Sequence, residues 1–154
     1  MHWVKDQQMV LNNTNQLLSN GGEAFFVAVY DSPYFHIYED ISKNEKWSKY
    51  MHDVKNIYPA YFYWPNITKT YTQIANEAGL QVVSCQLGIK NHVYIPYFFW
   101  KSVNPYLPRI TEAKEKEEFI QELHEKTMCS DYILPKYPES WTKLLIVHLK
   151  KSAF

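Results

Sequence analysis

Glycine is scarce in this chain, four in 154 residues, and the one adjacent pair is Gly21-Gly22. That excludes a G-x-G-x-x-G loop of the kind that lets backbone approach a dinucleotide or nucleoside. Cysteine is scarcer: Cys85 and Cys129 are too few and too far apart for a disulfide framework or a four-ligand zinc site. A reducing cytosol is the expected compartment. No stretch stays apolar for the roughly 18 residues that a membrane span needs. Neither sign of charge is in excess, since Lys plus Arg and Asp plus Glu are 16 each, so no net field favours nucleic acid or an anionic surface. The histidines at 36, 52, 92, 124 and 148 lack H-x-x-x-H or carboxylate spacing, and no metal is expected. With no charged-then-apolar leader, the sequons Asn12-Asn13-Thr14 and Asn66-Ile67-Thr68 are read as chance.

What the chain has in quantity is aromatic surface, 17% of residues with 13 Tyr and 8 Phe, gathered at Tyr30 to Tyr38, Tyr58 to Trp64 and Tyr94 to Trp100. Such side chains fill cores and equally make walls for apolar ligands. The order of elements is that of an α/β protein. Residues 7 to 20 predict a helix with Val10, Thr14, Leu17 and Leu18 at helical spacing, capped by Asp6 and stopped at Asn20-Gly21-Gly22. Glu23 to Tyr30 is a nearly continuous apolar run, the pattern of a strand covered on both faces. A helix is expected from about Tyr34 to Lys55 with a break near Asn44, then an irregular aromatic connection from Tyr58 to Pro65. A helix from Thr68 to Gly79 feeds a strand over residues 81–87, extended or doubled back by Ile89 to Ile95. Pro96 to Val103 reads as a short helix, Thr111 to about Met128 as a charged helix with a narrow apolar stripe, and Lys143 to Leu149 as a buried strand. Helix, glycine, strand twice over predicts an open sheet with right-handed crossovers. The run Glu112 to Glu118 is expected to be a solvated face.

Several motifs carry a resemblance. His2-Trp3-Val4-Lys5-Asp6-Gln7, the helix and Gly21-Gly22-Glu23-Ala24-Phe25, then Glu45-Lys46-Trp47-Ser48-Lys49-Tyr50-Met51-His52-Asp53-Val54, Ala78-Gly79-Leu80, Val103-Asn104-Pro105-Tyr106-Leu107-Pro108-Arg109-Ile110 and the Leu144-Leu145-Ile146-Val147 strand closely resemble the C-terminal half of arthropod juvenile hormone acid O-methyltransferases. The resemblance covers nearly the whole chain. It implies a partial Rossmann-like class I methyltransferase fold, with residues 1–154 the C-terminal portion of one domain and substrate-cap segments at about 33–66 and 94–110. It implies S-adenosylmethionine as cofactor and a small lipophilic carboxylic acid, such as juvenile hormone acid or farnesoic acid, as methyl acceptor. The glycine loop and ribose-binding acid of that family have no counterpart here. The chain is therefore expected to begin at an internal methionine of a longer protein, the alternative being a degenerate relative.

The same resemblance places His2 beside the cofactor and Trp3 at the mouth of the cleft, where an indole N–H, a donor with no acceptor capacity, suits a carboxylate. It places Tyr34, Phe35, Tyr38 and Trp47 in the segment that caps the acyl pocket, and Tyr94 to Trp100 as a further wall. A carboxylate is already ionised near neutral pH, so no catalytic base is expected. The competing expectation is a non-catalytic module that binds an apolar ligand or a partner subunit. A sheet lacking its neighbouring strand would leave the Phe25 to Tyr30 edge open to self-association.

Overall fold

Asp6 starts the first helix, α1 (Gln7–Leu17), by accepting the Met9 N–H on its carboxylate at 2.8 Å. Its end is sealed from elsewhere in the chain: Lys151 Nζ donates to the carbonyls of Asn15 and Leu18, at 2.8 and 2.9 Å, answering acceptors that a helix terminus leaves unpaired. Gly21, at φ +73°, then turns the chain into β1 (Glu23–Asp31). The remaining elements are α2 (Pro33–Ser42), α3 (Glu45–Ser48), a 3-10 turn (Val54–Ile57), α4 (Ile67–Glu77), β2 (Leu80–Val93), a second 3-10 turn (Leu107–Arg109), α5 (Ala113–Met128) and β3 (Glu139–Lys151). In this computed structural model the described residues are 1–93, 101, 104–129 and 139–153. The expected helix from Pro96 to Val103 and the aromatic wall from Tyr94 to Trp100 lie outside them, apart from Lys101.

The chain forms two compact units. The first comprises Met1–Asp31, Tyr58–Lys90 and Thr142–Phe154; the second comprises Ser32–Ile57 and Asn91–Trp141. In the first, three strands lie in the order β1-β3-β2, with β1 and β3 antiparallel from Glu23 opposite Lys150 to Val29 opposite Leu144. The register slips between Val29 and Asp31. There the Tyr61 hydroxyl donates to the Val29 carbonyl at 2.8 Å, and Lys143 pairs with Asp31 at 3.2 Å. The predicted strands are present, but β1 and β2 are not neighbours, because β3 lies between them.

One face of this sheet makes the core. Ala28 with Leu145, Val147 and Leu149 packs against Leu11 of α1 and Ile67, Tyr71 and Ala75 of α4. The helix faces follow from that: α1 presents Gln7 and Leu11, while Leu17 is 86% exposed, so the apolar stripe expected through Val10 and Leu17 is displaced around the helix. The other sheet face departs from the double-covered strand expected from the sequence. Phe25 is 64% exposed and Val27 53% exposed, because among the described residues the helices of this unit pack against the alternate side chains only.

The second unit breaks the expected Tyr34 to Lys55 helix into α2, α3 and the Val54–Ile57 turn. Asn44 sits at the break, as expected, and its side chain accepts the Lys46 N–H at 2.9 Å to begin α3. The core here is Ile37, Ile41, Trp47, Met51, Ile110, Phe119 and Leu123, all buried.

Two glycines separate backbone strain from steric conflict. A Cβ on Gly21 would meet nothing, whereas one on Gly79 (φ +77°) would lie 2.9 Å from Asn15 Nδ2, the atom that donates to the Ala78 carbonyl. Gly21→Ala is expected to cost about 1 kcal/mol, the left-handed penalty alone, and Gly79→Ala about 2–3 kcal/mol. Urea unfolding of the two variants measures the difference; equal midpoints would contradict it.

Candidate functional site

The first residues form a tight turn that the sequence pattern alone does not define. Val4 N–H bonds to the Met1 carbonyl at 3.1 Å, and the side chain of Gln7, only 2% exposed, donates to the same carbonyl at 3.1 Å and to that of Val4 at 2.6 Å. Gln7 Oε1 in turn accepts the Tyr71 hydroxyl of α4 at 3.3 Å. Next to the turn, Lys5 Nζ donates to the Tyr58 carbonyl at 2.7 Å. A buried amide thus ties the turn to the packed face of α1 and α4.

What the turn displays is His2 and Trp3. Their rings stand 4.9 Å apart at 51°, with Trp3 61% exposed and His2 half-buried. Burial, assisted by the positive Met1 amino group, holds the His2 imidazole below its ordinary pKa. The pair is therefore an exposed neutral donor beside a neutral ring, suited to orienting an anion without forming a charged pair. Deeper in the same unit, desolvation pushes the Tyr71 hydroxyl up to about 12 and raises Tyr61 further, so both remain protonated hydrogen-bond donors.

The other residues singled out by the sequence lie in the second unit. Phe35, Tyr38 and Trp47 are buried there, and Tyr34 is half-buried on α2. Trp47 packs edge-on against Phe119 at 4.9 Å, and its indole N–H is already committed to Glu122 at 2.6 Å. Tyr38 meets Tyr106 edge-on at 5.3 Å. The charge run on α5 is not simply a solvated face: Tyr50 donates to Glu115, Lys46 pairs with Glu118, and Asn44 and Trp47 share Glu122. Spacing of three, four and seven residues aligns these carboxylates along one side of α5. An apolar groove of about 370 Å³ borders Leu107, Pro108, Ala113 and Ile120 in this unit.

Arg109 joins two separate turns of the second unit. Its guanidinium grips Asp53 with both arms, at 2.6 and 2.8 Å, donates to the Tyr50 carbonyl at 2.9 Å and lies over the Tyr106 ring at 5.1 Å. The buried Asn104 side chain starts the adjoining 3-10 turn by accepting the Tyr106 and Leu107 N–H groups at 2.9 and 3.2 Å. Both motifs were visible as residues carrying the resemblance; their mutual contact was not. Gln7 was missed, and its only signal was a polar side chain four residues before the buried Leu11.

Comparisons with known proteins follow the same pattern. No family model matches the chain. Over 96 residues it is 28% identical to the juvenile hormone acid O-methyltransferase of Drosophila melanogaster, covering 62% of this chain and 32% of that protein. Over 130 residues it is 23% identical to the Bombyx mori enzyme of the same name, covering 81% of this chain and 47% of that protein. The chain is similar to juvenile hormone acid O-methyltransferases. It spans between a third and a half of the length of these curated relatives. A solved structure from Bacillus halodurans, provisionally assigned as a methyltransferase, superposes with a TM-score of 0.50 at 13% identity, covering 98% of this chain and 65% of that one. The fold is thus part of a Rossmann-like methyltransferase fold, α/β as the sequence indicated. No helix of the described residues is long and apolar enough to cross a membrane, and among them no cluster of metal-ligating side chains occurs.

Two outcomes test this geometry. Gln7→Glu keeps the size of the side chain but sets an acceptor against two carbonyls, so it is expected to destabilise the chain by about 2 kcal/mol and to speed exchange of the Val4 amide; unchanged exchange would mean that the turn holds itself. The Arg109 bond keeps Asp53 below the usual carboxylate range. A folded pKa below the unfolded one adds stability that is complete above the ordinary carboxylate pKa and lost as pH falls through the folded value. Thermal melts from pH 6 to pH 3 should therefore fall less steeply for Asp53→Asn than for the native chain, with a difference of about 1 kcal/mol or less for so exposed a pair.

Proposed function

We propose that this chain is the acid-binding portion of a cytosolic methyltransferase that esterifies the carboxylate of a small lipophilic acid, with S-adenosylmethionine as methyl source in the complete domain. The observation that carries this reading is the similarity to the two juvenile hormone acid O-methyltransferases, with the His2-Trp3 pair among the residues of the resemblance. Juvenile hormone acid or farnesoic acid is the acceptor proposed. Two free cysteines accord with a reducing compartment.

The residues present do not make a cradle for the cofactor. All four glycines have other work or other places: Gly21 and Gly22 form the turn after α1, Gly79 lies against Asn15, and Gly88 lies where a Cβ would be 2.9 Å from Ile146 Cδ1. None opens a helix after a strand, as a nucleoside-binding loop would. We assign His2 to the cofactor side of the complete domain, with no step derived through it.

The acceptor side needs little chemistry from the protein. An ionised carboxylate is its own nucleophile, so rate depends on orientation and exclusion of water, for which no acid–base residue is proposed. Trp3 offers the acid an N–H without competing charge. Tyr34, Phe35, Tyr38 and Trp47 are proposed to shape the binding of the apolar tail; Phe35, Tyr38 and Trp47 act from within the core of their unit, by setting the form of α2 and α3.

Calorimetric titration separates the two ligands. The chain alone is expected to bind farnesoic acid and to give no saturable heat with S-adenosylmethionine, and Trp3→Phe is expected to weaken acid binding about tenfold, the equivalent of one hydrogen bond to a charged group. Saturable binding of S-adenosylmethionine would reveal a cofactor site that the glycines do not provide. Failure to bind the acid would remove the proposal.

A further inference from the structure

The uncovered side of the sheet and its open edge meet in one strand. β1 is terminal in the order β1-β3-β2, so its outward N–H and C=O groups have no strand partner among the described residues. Phe25 and Val27, 64% and 53% exposed, lie on the face opposite Ala28 and the core. Val27 stands directly across from Ile146, and Val29 from Leu144, which extends the apolar face onto β3. Val83, 51% exposed, adds to it from β2, alternate in sequence to the core-side Val82.

Free edges of soluble proteins are normally guarded by lysine, proline or a bulge within the strand. β1 has none of these over Ala24 to Val29; its charged residues, Glu23 and Asp31, are at the two ends, and its register slip comes only after Val29. An apolar face rimmed in this way marks a surface that another polypeptide covers.

We infer that this edge and face dock an α/β polypeptide segment of the kind that makes up the rest of the relatives. One strand pairs with β1, and an apolar helix face covers Phe25, Val27 and Ile146. Two observations favour that occupant over a second copy of the chain. The matched region is only 32% and 47% of the two juvenile hormone acid O-methyltransferases, and 65% of the Bacillus halodurans chain, so each has a large segment without counterpart here. Self-pairing is also opposed by charge: the fully overlapped antiparallel register of β1 on itself sets Glu23 against Asp31 at both ends, and directly opposed like charges destabilise a sheet. Docking involves neither Trp3 nor the acid, so it can fail without touching the proposed chemistry.

The test is co-expression of the tagged 154-residue chain with the segment of the Drosophila melanogaster relative that lies outside the match, followed by size-exclusion chromatography with light scattering and hydrogen exchange. A one-to-one complex is expected, with amides of β1 slowed at least tenfold relative to the chain alone. Val27→Lys should abolish the complex without changing the circular dichroism melt, and Leu17→Lys, on the far-exposed end of α1, should leave it intact. A homodimer that excludes the segment and is lost in Val27→Lys would overturn the inference in favour of a second copy. A chain that stays monomeric beside the segment, with β1 amides still exchanging rapidly, would overturn docking altogether.

Discussion

A sheet of three strands has two broad faces, and in the first unit of this protein α1 and α4 cover one of them. That single allocation sets which residues are buried. It selects Ala28, Leu145, Val147 and Leu149 as core, requires the small Ala75 where α4 comes close, and leaves Phe25 and Val27 in water. At about 25 cal/mol per Å² of apolar surface, removing such side chains from solvent is the main favourable term in folding, so leaving a phenylalanine and a valine exposed forgoes a substantial contribution. Proteins accept that where the surface has another use.

The second unit is stabilised differently. Its helices α2 and α3 are short, ten and four residues, and gain little from their own backbone hydrogen bonds. Side-chain hydrogen bonds take over: Glu122 receives both Asn44 and Trp47, Asn44 begins α3, and Arg109 closes on Asp53 and the Tyr50 carbonyl. Aromatic packing of Trp47 on Phe119 and Tyr38 on Tyr106 fills the space between these anchors. Tryptophan and tyrosine fit such a design because each joins a large apolar body to one polar tip.

What was legible in the sequence was local chemistry. Asp6 as a cap, Gly21 and Gly79 as left-handed stops and Asn44 as a break act within a few residues of themselves, and all do so in the structure. The α/β class and the positions of the strands followed from apolar runs. Strand order was not legible, because the placing of β3 between β1 and β2 depends on residues more than a hundred positions apart. Nor was the buried face of α1, where a polar residue, Gln7, takes an interior position by satisfying two carbonyls and a hydroxyl. The acids of α5 looked solvated because their donors lie some seventy residues earlier, at Asn44 to Tyr50. For the candidate site, His2 and Trp3 were found as neighbours on one turn, while the amide that holds the turn was invisible to pattern.

The strand at the centre of the sheet is also the last of the three to be synthesised. Until β3 emerges, β1 and β2 have no shared partner, and a growing chain holds two apolar strands whose backbone groups can pair only with water or with other chains. Assembly of this unit is in effect postponed to the end of translation, when one late segment slides between two early ones and clasps α1 through Lys151. Such long-range closure places the protein among slow folders, with its period of greatest vulnerability on the ribosome rather than in the finished molecule.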